Sequence, residues 1–87
     1  MIKMVRKALI LGQLESQASG VKIPETLAKI SSLPGVKDTE YIAGPYDFYL
    51  IAEVDTQEEL DKTVTSLRNI KSIKETMTCL VLPTKKK

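Results

Sequence analysis

Few residues in this chain could do chemistry, and they are quickly named. There is no histidine and a single cysteine, Cys79. The commonest general base and the commonest metal ligand are therefore absent. One cysteine cannot build a zinc cluster, and a serine without a histidine makes no ordinary triad. Neither G-x-x-x-x-G-K-[ST] nor G-x-G-x-x-G occurs, so no loop is built to cradle a phosphate. What is left is carboxylate chemistry. Asp47, directly after Tyr46 and just past Gly44-Pro45, is the acid best placed for it. A carboxylate at such a turn either works as an acid or base when buried, or is satisfied by the turn's own amides. Cys79 reads as a small buried hydrophobe on a strand, because no base or cation in the sequence marks it as reactive. We expect no catalysis, no bound metal and no cofactor.

The elements that must position these residues follow from the pattern. Residues 5–14, VRKALILGQL, are rich in aliphatics and run into a polar loop at 15–20, which predicts a first strand. Pro24 suits the first turn of a helix, and Ile23, Leu27, Ile30 and Leu33 follow at helical spacing. Pro34-Gly35 stops that helix. Residues 36–43 predict a second strand, Gly44-Pro45 a turn, and residues 46–54, YDFYLIAEV, a third strand hairpinned to the second. Thr56 with Glu59 opens a second helix through a capping box, and Leu60, Val64 and Leu67 form its apolar face. Residues 73–82 predict a fourth strand that Pro83 ends. The order β-α-β-β-α-β is the ferredoxin-like pattern: an α+β fold with a four-stranded antiparallel sheet and two helices on one face.

Alternation within the strands adds a second expectation. On the third strand Tyr46, Phe48, Leu50, Ala52 and Val54 lie on one side, and Tyr49 and Ile51 lie on the other with Asp47 and Glu53. On the first strand Leu9 and Leu11 oppose Ala8, Ile10 and Leu14. A sheet with one wet face should alternate cleanly between apolar and polar. This one is apolar on both faces, and two helices cover only one. A second copy is the simplest cover, giving a homodimer through the sheet face, a dimeric α/β sandwich or barrel.

Length and charge bound the rest. The chain has 87 residues, enough for one small domain. The net charge of +2 is set by Lys85, Lys86 and Lys87; removing these three from the 13 basic residues leaves 10 against 11 acidic ones, or −1. We read residues 1–84 as one domain and 85–87 as a basic, disordered tail. A nucleic-acid binder would carry its positive charge as a stripe across the folded body. The first strand has no aromatic for base stacking. Direct DNA contact is therefore not expected. No apolar run approaches the length of a membrane span, and no secretory leader stands at the N-terminus, so a cytoplasmic location and no membrane contact are expected.

Residues 33–54, L-P-G-V-K-D-T-E-Y-I-A-G-P-Y-D-F-Y-L-I-A-E-V, resemble the centre of the C-terminal domain of the Lrp/AsnC (feast/famine) transcription regulators, also called RAM. The shared features are Pro34-Gly35-Val36 before the second strand and Gly44-Pro45-Tyr46-Asp47 before the aliphatic third strand. The acidic helical stretch, Ser72-Ile73, and Thr76-x-Thr78-x-x-Val81-Leu82 match the family's second half. Ser72 stands where glycine is usual, Pro45 where the family is polar, and Gly12 is unusual in the first strand. The resemblance implies a dimer through the sheet, octamers of four dimers, and an amino-acid effector bound between neighbouring dimers. It implies an effector site at Gly44, Tyr46, Asp47, Thr76 and Thr78. An amino-acid zwitterion needs an acceptor for its ammonium group, which Asp47 could supply. It also needs donors for its carboxylate, which backbone N–H groups near Gly44 and the threonine hydroxyls could supply. The chain resembles stand-alone members without the helix-turn-helix domain, which would modulate transcription indirectly. Three other readings stay open: a ligand-free partner that co-assembles with full-length Lrp/AsnC regulators, a small dimeric α/β-barrel enzyme, and an ACT-type domain.

Overall fold

A computed structural model describes residues 6–15 and 23–82. The strand start expected at residue 5, most of the loop at 15–20, the stop at Pro83 and the lysine tail lie outside the described residues. The elements are β1 (Arg6–Leu14), α1 (Ile23–Ser31), β2 (Val36–Tyr41), β3 (Phe48–Val54), α2 (Gln57–Arg68) and β4 (Ile73–Leu80). The sheet order is β2-β3-β1-β4, antiparallel throughout. This is the ferredoxin-like fold.

One contiguous core holds it together. Ala8 and Ile10 of β1, Phe48, Leu50 and Ala52 of β3, Ile30 of α1 and Leu60 and Leu67 of α2 are all buried in a single cluster. Both helices therefore pack on the same sheet face. Each large aliphatic or aromatic side chain taken out of water here contributes about 1.5–3 kcal/mol.

The second helix starts as its sequence says. Thr56 Oγ1 accepts the Glu59 N–H at 3.1 Å, and Glu59 Oε1 accepts the backbone N–H of Asp55 at 2.9 Å. The return bond thus reaches one residue before the cap, where a standard capping box would use the cap's own N–H. Two buried threonines were not foreseen. Thr26 sits on the inner side of α1, and the Thr63 hydroxyl on α2 donates to the Pro34 carbonyl at 3.0 Å, tying α2 to the turn before β2.

The second and third strands are shorter than the sequence predicts. Strand β2 ends at Tyr41, not at residue 43, and β3 begins at Phe48, not at residue 46. Residues 42–47 form a loop because Gly44 has φ +143, a conformation that side-chain-bearing residues rarely adopt. Strand β4 ends at Leu80, two residues short of the expected bound.

Candidate effector site

The loop between β2 and β3 is stitched to the end of β1. The Asp47 N–H donates to the Gly12 carbonyl at 2.8 Å, and Gln13 Nε2 donates to the Pro45 carbonyl at 3.0 Å. The Leu14 N–H donates to Asp47 Oδ2 at 2.7 Å. The carboxylate continues the strand ladder in place of a backbone carbonyl, beside an irregularity between Gln13 and Leu14 where β1 meets β4. Asp47 is half-buried, and its Oδ1 receives no hydrogen bond among the described residues. The carboxylate is held by one oxygen and open at the other.

Gly12, whose carbonyl takes the Asp47 N–H, also leaves room for the Phe48 ring. Its direct cross-strand neighbour is Phe48, and a Cβ on Gly12 would run into the Phe48 ring. The ring fills the space that a side chain would take, and so a glycine stands inside an otherwise aliphatic strand.

The other resemblance-based positions fall on β4 and at the loop. Gly44 is exposed at the turn. Thr76 is in register with Gly12 and Thr78 with Ile10, so both threonines sit on the helix-covered face. They line a groove of about 400 Å³ between α2 and β4, with Val64, Arg68, Ile73, Lys74 and Glu75. The sequence reading assigns neither Arg68 nor Lys74 a role; in α2 it names the capping box, the acidic stretch and the apolar stripe. Tyr46 points elsewhere. Its hydroxyl lies 3.7 Å from Met77 Sδ, and Met77 is in register with Leu11 on the helix-free face. The expectation that Tyr46 shares a side with Phe48 fails, because Tyr46 precedes the strand and does not follow its alternation. Within one chain the Tyr46 hydroxyl and the two threonines therefore stand on opposite faces of the sheet. One small ligand cannot touch both unless a second copy supplies one of them.

The helix-free face is ordered in rows by strand register. One row runs Glu40, Tyr49, Leu11, Met77 and the next Asp38, Ile51, Leu9, Cys79. Its middle, Leu9, Leu11 and Ile51, is apolar, and Met77 at the β4 edge is 46% exposed. Cys79 is exposed on this face, not buried as expected, because β4 is an edge strand and both helices lie behind it. Two features mark the rim. Lys7 and Glu53 form a loose pair at 3.9 Å, worth little in water. Tyr49 donates to Asp38 Oδ2 at 3.3 Å. Partial desolvation, then the Asp38 charge and hydrogen bond, then Glu40, raise the Tyr49 phenol above its ordinary value.

Among the described residues no group of three or more acidic, histidine or cysteine side chains could hold a metal ion. No helix among them is long and apolar enough to cross a membrane.

Known proteins place this arrangement. Residues 8–87 match the model of the family described as Lrp/AsnC ligand binding domain. The structure is similar to that of Escherichia coli AsnC, with a TM-score of 0.77 and 25% identity, covering 91% of this chain and 52% of AsnC. A hypothetical protein from Pyrococcus horikoshii is 28% identical with a TM-score of 0.76, and the match covers 93% of both chains. A transcriptional regulator of Neisseria meningitidis in complex with L-Met has a TM-score of 0.75 at 18% identity, covering 94% of this chain and 53% of that one, a likeness of fold alone. Among curated proteins, homocitrate synthase of Sulfurisphaera tokodaii is 33% identical over 64 residues, 74% of this chain but 14% of the synthase. The chain thus spans about half of AsnC and a small part of the synthase. With almost its whole length matched, the chain belongs to the Lrp/AsnC ligand-binding-domain family.

Proposed function

We propose that this domain senses an amino acid and converts its binding into a change of assembly. Copies pair through the helix-free sheet face, dimers associate further into a ring of four, and the effector lies between neighbouring dimers. Gly44, Tyr46 and Asp47 of the loop and Thr76 and Thr78 of β4 form its contacts. The observation that carries the reading is the half-open carboxylate of Asp47, fixed by the Leu14 N–H through one oxygen and free to accept an ammonium group through the other. The placement of Tyr46 and the threonines on opposite faces favours a site shared between copies. The Neisseria relative's L-Met complex agrees with an amino-acid ligand. Control then follows from mass action: an effector shifts the assembly only by its differential affinity for the two states.

The test is a thermal-shift screen of the common amino acids at millimolar concentration, with the solution mass measured alongside. A ligand at a hundredfold excess over its Kd adds about 2.7 kcal/mol, several degrees for a domain of this size. Asp47→Asn keeps an acceptor for Leu14 and removes the charge, so it should weaken binding at least about tenfold while leaving the unliganded midpoint nearly unchanged. A flat screen removes the sensing role, and a full response in D47N removes Asp47 from the site.

A second reading rests on the synthase match. A domain of this kind embedded in a biosynthetic enzyme would report to that enzyme instead of to a DNA-binding regulator. Mixed oligomers with a full-length Lrp/AsnC regulator, recovered from co-expression, would favour the regulator as partner. A change in synthase rate on adding this chain would favour the enzyme.

A further inference from the structure

We infer that the groove between α2 and β4 is a carboxylate-binding subsite in which the guanidinium of Arg68 is the principal anchor. The inference rests on the effector site proposed above and adds to it a residue from outside the resemblance. Arg68 ends the last turn of α2, and Lys74 lies across the groove at the start of β4. Neither cation has an ion pair among the described residues. Glu75 is the one carboxylate lining the groove, so its charge is net positive. Two hydroxyl donors, Thr76 and Thr78, stand one above the other on the same strand, with the half-buried Val64 and the buried Ile73 beside them. A volume of about 400 Å³ falls in the range of small-ligand pockets.

The chemistry selects the ligand group. An exposed cation by itself holds an anion weakly, because water screens it and the long side chain must be ordered. A guanidinium offers two parallel N–H groups that match the two oxygens of a carboxylate, and adjacent hydroxyls can serve the remaining lone pairs. The apolar residues lower the local dielectric and strengthen both. Lys74 contributes charge without that planar match. In this arrangement the threonines act as secondary donors, and the acceptor Asp47 and the donor Arg68 recognise opposite ends of a zwitterion, supplied by neighbouring copies.

The experiment uses the full chain and a simple probe. Sodium acetate is titrated against sodium chloride at matched ionic strength, following the Arg68 Nε–Hε and the Thr76 and Thr78 methyl signals by NMR. Acetate should move all three saturably and chloride should not. Arg68→Gln should weaken the acetate response at least about tenfold, and Arg68→Lys should fall between the two. Equal shifts with chloride, or a full acetate response in R68Q or R68K, overturn the assignment. The outcome separates from that of the sensing role. Amino-acid stabilisation retained in R68Q sinks this subsite and leaves the sensor standing. Acetate binding without any amino-acid response does the reverse.

Discussion

Replacing Gly12 by alanine tests whether the glycine is there for the Phe48 ring. Phe48 is fully buried, and the added methyl would overlap its ring carbons. Gly12 has no positive φ, so alanine meets no backbone penalty. Loss of unfolded-state freedom would by itself stabilise by about 0.4–1 kcal/mol. Overpacking of a full core costs about 1–3 kcal/mol. The ring is hemmed in by the helix-covered core, so overpacking wins, and the net loss should be about 1–2 kcal/mol. That lowers the midpoint by on the order of 5–15 °C for a domain of this length. Thermal and urea unfolding at one fixed protein concentration measure it, because the proposed assembly would make stability concentration-dependent. Phe48→Leu supplies the control. It is destabilising by itself, yet it vacates the space the methyl needs, so the double variant should be more stable than the sum of the two losses by about 1 kcal/mol or more. If G12A is as stable as the parent, or if the two effects add, the ring does not explain the glycine.

Two further outcomes are expected. Thr56→Ala removes the acceptor for the Glu59 N–H and should cost about 1 kcal/mol, while Thr56→Ser keeps most of the stability; equal midpoints for T56A and the parent would show that the cap contributes nothing. The Tyr49 phenol should ionise above its ordinary value of 10.0. Because the folded state holds that proton more tightly, its contribution to stability is present below pH 10 and is lost as pH rises through the raised value. Asp38→Asn removes the largest charge acting on the phenol, so tyrosinate absorbance should appear at lower pH in D38N. An unchanged titration curve would separate Asp38 from Tyr49.

Periodicity made the fold legible. Ile30, Leu60 and Leu67 are buried where helical spacing places them, and Leu50 and Ala52 where strand alternation does. The same rule misled at Tyr46, because alternation describes a side chain only while the backbone stays in the strand, and Gly44 breaks it there. Cys79 was misread for a different reason. Its burial depends on the position of β4 at the sheet edge, and strand order is a property of the whole chain. Arg68 escaped notice because a lone arginine at a helix end reads as a solvated charge until β4 is seen across from it. Gly12 was visible as an oddity, but its explanation needed the register that sets Phe48 opposite it.

The two acidic side chains at the β2 end of the open sheet face give that face a polarity. Asp38 and Glu40 end rows whose opposite ends, Cys79 and Met77, are uncharged. A copy laid on this face with its β2 over the other β2 would bring four carboxylates together. A copy laid with β2 over β4 would not. If copies pair through this face as proposed, its acidic edge works as a compatibility label. Between copies meeting β2 over β2, lysines at both positions would create a chain that prefers the parent as partner over itself, and related domains in one cell could be kept apart, or allowed to mix, by charge at two positions of one edge strand.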